Sequence, residues 1–223
     1  MKHPEHAVRQ TEVLERRLID TRHGLAGLLH SPAREPWAML VLGHGAGGGA
    51  DARDLTWLAT DLPPLGIDVV RIEQPWRVAG KRVAQRAAVL DEGWLDAVAQ
   101  LPRSAAVIVG GRSSGARVAC RTATSIGAAG CLALAFPLRP PWRPEQTRWP
   151  ELHASGVPTL VVQGDRDQFG AATDFPELPA SIRITSLADA DHEFVRLKGS
   201  GRGSPRGELI DCVSAWLRET VAT

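Results

Sequence analysis

The feature that most constrains this chain is the run Val107-Ile108-Val109-Gly110-Gly111-Arg112-Ser113-Ser114-Gly115-Ala116-Arg117-Val118-Ala119. Its β-branched start reads as a buried strand, its glycines as a tight turn, and its end as a helix. Within it, Gly111-Arg112-Ser113-Ser114-Gly115 fits G-x-S-x-G, in which a serine is lifted on a sharp strand-to-helix turn. Such a turn leaves little room for side chains two residues either side, so glycine suits both flanks. The following helix points its first amides at the serine, where negative charge develops in acyl transfer. Ser114 is a neighbouring hydroxyl, but the register of the pattern favours Ser113.

A serine so held predicts an acid and then a histidine further along the chain. Pro158-Thr159-Leu160-Val161-Val162-Gln163 reads as a buried strand, and it runs into Gly164-Asp165-Arg166-Asp167-Gln168-Phe169-Gly170. The turn offers two acids, Asp165 and Asp167, and the residues alone leave both open. Ile182-Arg183-Ile184-Thr185 alternates like a strand, and His192 follows in a polar loop before the last helix. Asp191 and Glu193 flank it as solvated charges.

A hole for an oxyanion needs a second amide from the loop after an earlier strand. The strand is Ala38-Met39-Leu40-Val41-Leu42 and the loop Gly43-His44-Gly45-Ala46-Gly47-Gly48-Gly49. Its glycines let backbone amides face a ligand closely. It lacks the Lys-Ser/Thr ending of a phosphate loop, and it lacks a G-x-G-x-x-G with a downstream ribose acid. Nucleotide binding is therefore not expected.

The ordered set Gly43-His44-Gly45-Ala46-Gly47-Gly48, Gly110 to Arg117, Phe136-Pro137-Leu138-Arg139-Pro140-Pro141, Gln163 to Gly170 and Ala190-Asp191-His192 resembles a small α/β-hydrolase. It is similar to the dienelactone-hydrolase-like branch that includes testis-expressed and chromatin-complex relatives in animals. The resemblance implies Ser113 as nucleophile, Asp167 as acid and His192 as base. It implies the amides of Ala46 and Ser114 as the oxyanion hole. Dienelactone hydrolases proper carry cysteine as nucleophile, where this chain has serine, and some animal relatives act as scaffolds. The implied activity is hydrolysis of small carboxylic esters or related acyl compounds through an acyl-enzyme. The alternatives are a catalytically silent interaction module, or a thioesterase or acyltransferase using the same three residues.

Strands alternating with helices imply a mostly parallel sheet of about eight strands with helices on both faces, the α/β-hydrolase fold. The expected unit is a single domain over 1–223 with 1–10 loose. Two early strands over 11–18 and 22–30 should pair antiparallel. Later strands are expected over 38–42, 67–72, 105–110, 130–135, 158–163 and 182–187. Helices are expected near 51–62, along 83–101 and after the elbow. A last helix should be capped by Ser204, with Pro205 at its first position. The span 136–157 holds five prolines, so it reads as a stiff loop and not a substantial cap domain. The Gly- and Ser-rich 198–207 reads as mobile.

The 223 residues suffice for one substantial core, and the formal charge of +1 gives no pull toward nucleic acid or anionic membrane. Three cysteines, Cys120, Cys131 and Cys212, lie in apolar contexts and fit reduced thiols in a cytoplasmic protein. No metal and no cofactor are expected, and no membrane span. The expected partner is a small-molecule acyl substrate, and the expected state a monomer or homodimer. Ligands bind beyond the carboxyl ends of strands in such sheets. The expected pocket there comprises His44, Gly45, Trp76, Arg139 and Trp142, with the His44 ring bracing its loop. Arg112 and Arg117 are read as ties from the elbow to nearby carbonyls or carboxylates.

Overall fold

The computed structural model describes residues 15–222. The segment 1–10, and the start of the strand expected over 11–18, lie outside the described residues. In chain order the elements are β1 (Glu15–Thr21), β2 (Gly24–Ser31), β3 (Ala38–Gly43), α1 (Arg53–Asp61), β4 (Ile67–Glu73), α2 (Pro75–Val78) and α3 (Ala87–Val98). They continue with β5 (Ala106–Arg112), α4 (Ser114–Ile126), β6 (Gly130–Leu134), α5 (Trp149–His153), β7 (Thr159–Gly164), β8 (Ile182–Leu187) and α6 (Arg206–Val221). One eight-stranded sheet runs in the order β1-β2-β4-β3-β5-β6-β7-β8. β1 with β2, and β2 with β4, are antiparallel; every later pair is parallel.

The period-2 alternation of side chains splits each central strand between two cores. Met39, Val41, Val107 and Val109 face one side and pack with Leu90, Trp94 and Val98 of α3 and Val118 and Ala119 of α4. Leu40, Leu42 and Ile108 face the other side and pack with Leu55 and Leu58 of α1 and Leu209 and Val213 of α6. Burial on both faces explains why these strands read as continuous apolar runs.

The helix expected along 83–101 is shorter, because within 81–86 only Ala84 packs against the core, while Val83 points into solvent. The last helix starts one residue later than expected. Pro205 takes the cap position itself, and Ser204 Oγ accepts only the Arg206 amide at 3.3 Å. The span 136–157 does carry a short helix, α5, with Pro150 in its first turn. Leu152 buries beneath it, and Glu151 ties it to Arg117 and Arg121 of α4.

The closest backbone approach lies under the elbow. A Cβ at Gly111 would stand 2.5 Å from the Gly43 carbonyl oxygen, and one at Gly115 would overlap the Gly43 carbonyl and meet the His44 carbonyl oxygen at 2.8 Å. Overpacking at a site walled by backbone costs about 1–3 kcal/mol or more. Gly115→Ala is expected to lower unfolding free energy by at least about 2 kcal/mol in a urea titration, because the clashing atoms are main chain and cannot rotate away.

Candidate active site

β5 delivers Ser113 at the turn into α4. Its φ of 51° and ψ of −114° lie outside the usual regions for a side-chain-bearing residue. Such strain costs about 1–3 kcal/mol and persists only when the surroundings impose it. Here the Ser113 amide donates to the Leu134 carbonyl at 2.9 Å, and its carbonyl accepts the Arg117 amide at 3.2 Å.

The loop after β8 is folded by its own side chains. Asp191 Oδ1 accepts the amides of Glu193 and Val195, each at 2.9 Å, and Phe194 is wholly buried below. This brings His192 over the elbow. Its Nε2 stands 3.0 Å from Ser113 Oγ, and its Nδ1 2.8 Å from Asp167 Oδ2. The chain Ser113–His192–Asp167 is thus hydrogen-bonded throughout. The Asp167 carboxylate is fully shielded, and its orientation is fixed from three sides. Gln163 Nε2 donates to Oδ2 at 2.8 Å and the Phe169 amide to Oδ1 at 2.8 Å, beside the imidazole. Asp165, open on sequence grounds, is exposed and makes no contact with His192.

The amides of Ala46 and Ser114 have no acceptor among the described residues. Both residues line a cleft of about 1030 Å³ with Gly45, Ser113, His192, Phe169 and Trp142. Arg71 Nη1 holds the loop carrying Ala46 by donating to the Ala50 carbonyl at 2.8 Å.

Two residues expected in the pocket lie elsewhere, and a third lies behind it. Trp76 sits on the four-residue α2, which turns it inward against the His44 ring at 5.6 Å, so it is buried. Arg139 turns toward the Asp174 carbonyl, to which it donates at 3.1 Å, and does not line the cleft. His44 is buried behind the loop, as a brace. The Gln74 backbone amide donates to Nε2 at 3.1 Å, so the ring proton is on Nδ1, which donates to the Gly45 carbonyl at 2.8 Å. Trp142 does line the cleft, in a T-shaped pair with Phe169 at 6.1 Å between ring centroids.

Four side chains escaped the sequence reading of the site. Phe169 packs against the His192 imidazole, with ring centroids 4.4 Å apart and planes tilted by 43°. Gln163, the last-but-one residue of β7, reaches Asp167; its four-residue spacing from that acid was the available signal. Asp54 on α1, fully buried, pairs with Arg112 at 3.0 Å. Arg148 lines the cleft, donates to the Pro137 carbonyl at 3.0 Å, and forms no ion pair among the described residues, although the Glu151 charge acts on it. Burial, and then the Arg117 charge, push its pKa down. Arg117 and Arg121, also at the cleft, are paired with Glu151 and Asp91.

Among the described residues, no group of three or more His, Cys, Asp or Glu is placed to hold a metal ion, and no helix is long and apolar enough to cross a membrane.

The fold and these residues define a serine-bearing member of a known class: residues 36–218 match the alpha/beta hydrolase domain family, and the chain belongs to it. No curated protein matches it. Among solved structures it is similar to an alpha-beta serine hydrolase homologue from Coxiella burnetii, at 17% identity and TM-score 0.70, covering 92% of this chain and 96% of that one. It is similar to a serine hydrolase without lid from Xanthomonas campestris, at 20% identity and TM-score 0.68, covering 93% of each. It is also similar to ferulic-acid-bound Est1E from Butyrivibrio proteoclasticus, at 13% identity and TM-score 0.70, covering 93% and 100%. At these identities the likeness is one of fold.

The buried His44 gives a pH test. Burial lowers its pKa below the ordinary histidine value of about 6.5. The unfolded chain therefore binds the extra proton first, so stability is full above about pH 6.5 and falls as pH drops through it. The thermal midpoint of the wild type is expected to fall between pH 7.5 and 5, and His44→Gln to lower the midpoint at pH 7.5 while flattening that fall. An unchanged slope in the variant would assign the acid sensitivity to other groups.

Proposed function

We propose that this chain is a serine hydrolase of small carboxylic esters or related acyl compounds, working through an acyl-enzyme. The observation that carries this reading is the unbroken hydrogen-bonded chain from Ser113 Oγ through His192 to the shielded Asp167. His192 Nε2 takes the hydroxyl proton as Ser113 Oγ attacks the carbonyl carbon, and Asp167 holds the imidazole tautomer and faces the imidazolium. The amides of Ser114 and Ala46 receive the oxyanion, each such donor being worth about 10²–10³ in kcat elsewhere. His192 then returns the proton to the leaving alcohol. A water, deprotonated by the same nitrogen, attacks the acyl-enzyme; the Oγ–acyl bond breaks, Ser113 Oγ takes the proton back from His192, and the acid leaves.

The cleft also favours a substrate with an acidic group. Arg148 is half-buried there beside Arg117, and the Glu151 carboxylate that faces it is already bound to Arg117 and Arg121, an environment that an incoming carboxylate would relieve. Trp142 and Phe169 offer an aromatic wall near the imidazole. Thioester cleavage or acyl transfer would use the same atoms, and comparing water with alcohol acceptors separates them. A silent interaction module has no use for a serine, histidine and aspartate already in hydrogen-bond contact.

Ser113→Ala is expected to lower kcat on p-nitrophenyl acetate by at least about 10³-fold with an unchanged circular dichroism spectrum. A variant keeping more than a few percent of turnover would sink the assignment of Ser113. Arg148→Met is expected to raise KM about tenfold for mono-p-nitrophenyl succinate and leave KM for the neutral butyrate ester within about twofold, since one desolvated charge contact is lost. Equal changes for both esters would remove the acidic-group reading.

A further inference from the structure

Arg112 occupies the variable position before the elbow serine, where a pattern of the G-x-S-x-G type specifies nothing. It is nevertheless buried, and its guanidinium reaches three separate segments. Nε donates to Asp54 Oδ2 on α1 at 3.0 Å. Nη2 donates to the backbone carbonyl of His192 at 2.7 Å and lies 3.3 Å from Glu193 Oε1. Nη1 lies 3.3 Å from where a Cβ on Gly45 would stand, so the loop bearing the Ala46 amide rides directly over the fork.

We propose that Arg112 is a positioning residue that sets the distance between the His192 imidazole and Ser113 by clamping the histidine loop to the elbow. The proposal rests on the hydrolase reading above. Its logic is geometric. Arg112 and Ser113 are adjacent in the chain, so a bond from Arg112 to the His192 carbonyl ties the nucleophile's own backbone to that of the base. Asp54 holds the fork still from the opposite side, and its remaining oxygen, Oδ1, is occupied by the Leu55 amide. A planar fork can serve both acceptors at once, whereas an ammonium is a point charge and holds one well. A buried ion pair alone needs only the contact to Asp54. The carbonyl contact is the part that stability does not require. Small displacements of reacting groups are costly in rate, about 10²-fold for 1 Å.

The test must separate positioning from stability. The double variant Arg112→Met/Asp54→Leu removes both charges of the buried pair with little change of volume, an exchange that commonly leaves a fold intact. It is expected to melt near the wild type and to lower kcat on p-nitrophenyl acetate by about 10–100-fold, with KM within about twofold. Asp54→Asn keeps one acceptor for Nε but gives up the charge and the acceptor of the Leu55 amide, and is expected to lose less kcat than the double variant while its melting temperature falls further. Arg112→Lys is expected to lose kcat as the double variant does. A second readout is the His192 Nδ1–H proton in the nitrogen-correlated spectrum of histidine-labelled protein. It should persist in wild type and Asp54→Asn, and broaden or vanish in the double variant. Full kcat in a folded double variant, or an unaltered proton signal there, would overturn the proposal. If the wild type turns over no ester, the hydrolase reading fails, and the proton signal still decides whether Arg112 holds His192.

Discussion

The rest of the site depends on one close approach, where the end of β3, the end of β5 and the first turn of α4 meet with no side chain between them. Gly111 and Gly115 both press against the Gly43 carbonyl, and a methyl at either would collide with main chain. This contact lets α4 start immediately after β5, and it forces Ser113 into its positive φ. It also sets the glycine loop beside the serine, so the unpartnered amides of Ala46 and Ser114 line one cleft. Strain at Ser113 and close packing of glycines are thus two sides of one arrangement. The sheet and its two cores supply the stability that holds it.

The electrostatics follow from the same geometry. Charges near Ser113 are mostly compensated: Arg112 by Asp54, Arg117 and Arg121 by Glu151 and Asp91. Asp167 is shielded but satisfied by Gln163, Phe169 and His192. The histidine loop is shaped by Asp191 and anchored by Phe194, with Gly164 leaving room for the Ala190 and Asp191 carbonyls. Against this background Arg148 stands out as a half-buried cleft cation with no ion pair of its own among the described residues, its one hydrogen bond going to the Pro137 carbonyl. The thiols lie apart from this chemistry: Cys120 and Cys131 are buried, and burial pushes Cys212 up to about 11.

The strands were legible because period and composition agree. Val107 to Val109 and Thr159 to Val162 are short β-branched runs bounded by turns, and both proved to be central strands buried on both faces. The elbow was legible because its glycines answer a local steric demand. Ser113 and His192 could be singled out by their order in the chain, and the structure brings them into contact. The choice between Asp165 and Asp167 was not local, since both occupy one turn and only the carboxylate's contact with His192 distinguishes them. Trp76 misled because α2 is four residues long, too short to show a period, and its turn sends the indole under His44. Arg112 could be read as a tie but not as a clamp on His192, because its partners lie 58 and 80 residues away.

The central claim is that Ser113 is an activated nucleophile. Its most direct test is the intact mass of the protein after exposure to a fluorophosphonate probe, with Ser113→Ala and His192→Ala alongside. The account predicts a single adduct on the wild type, none on Ser113→Ala, and a much slower one on His192→Ala. A folded wild-type protein that takes no adduct, or a Ser113→Ala variant that still takes one, would contradict it.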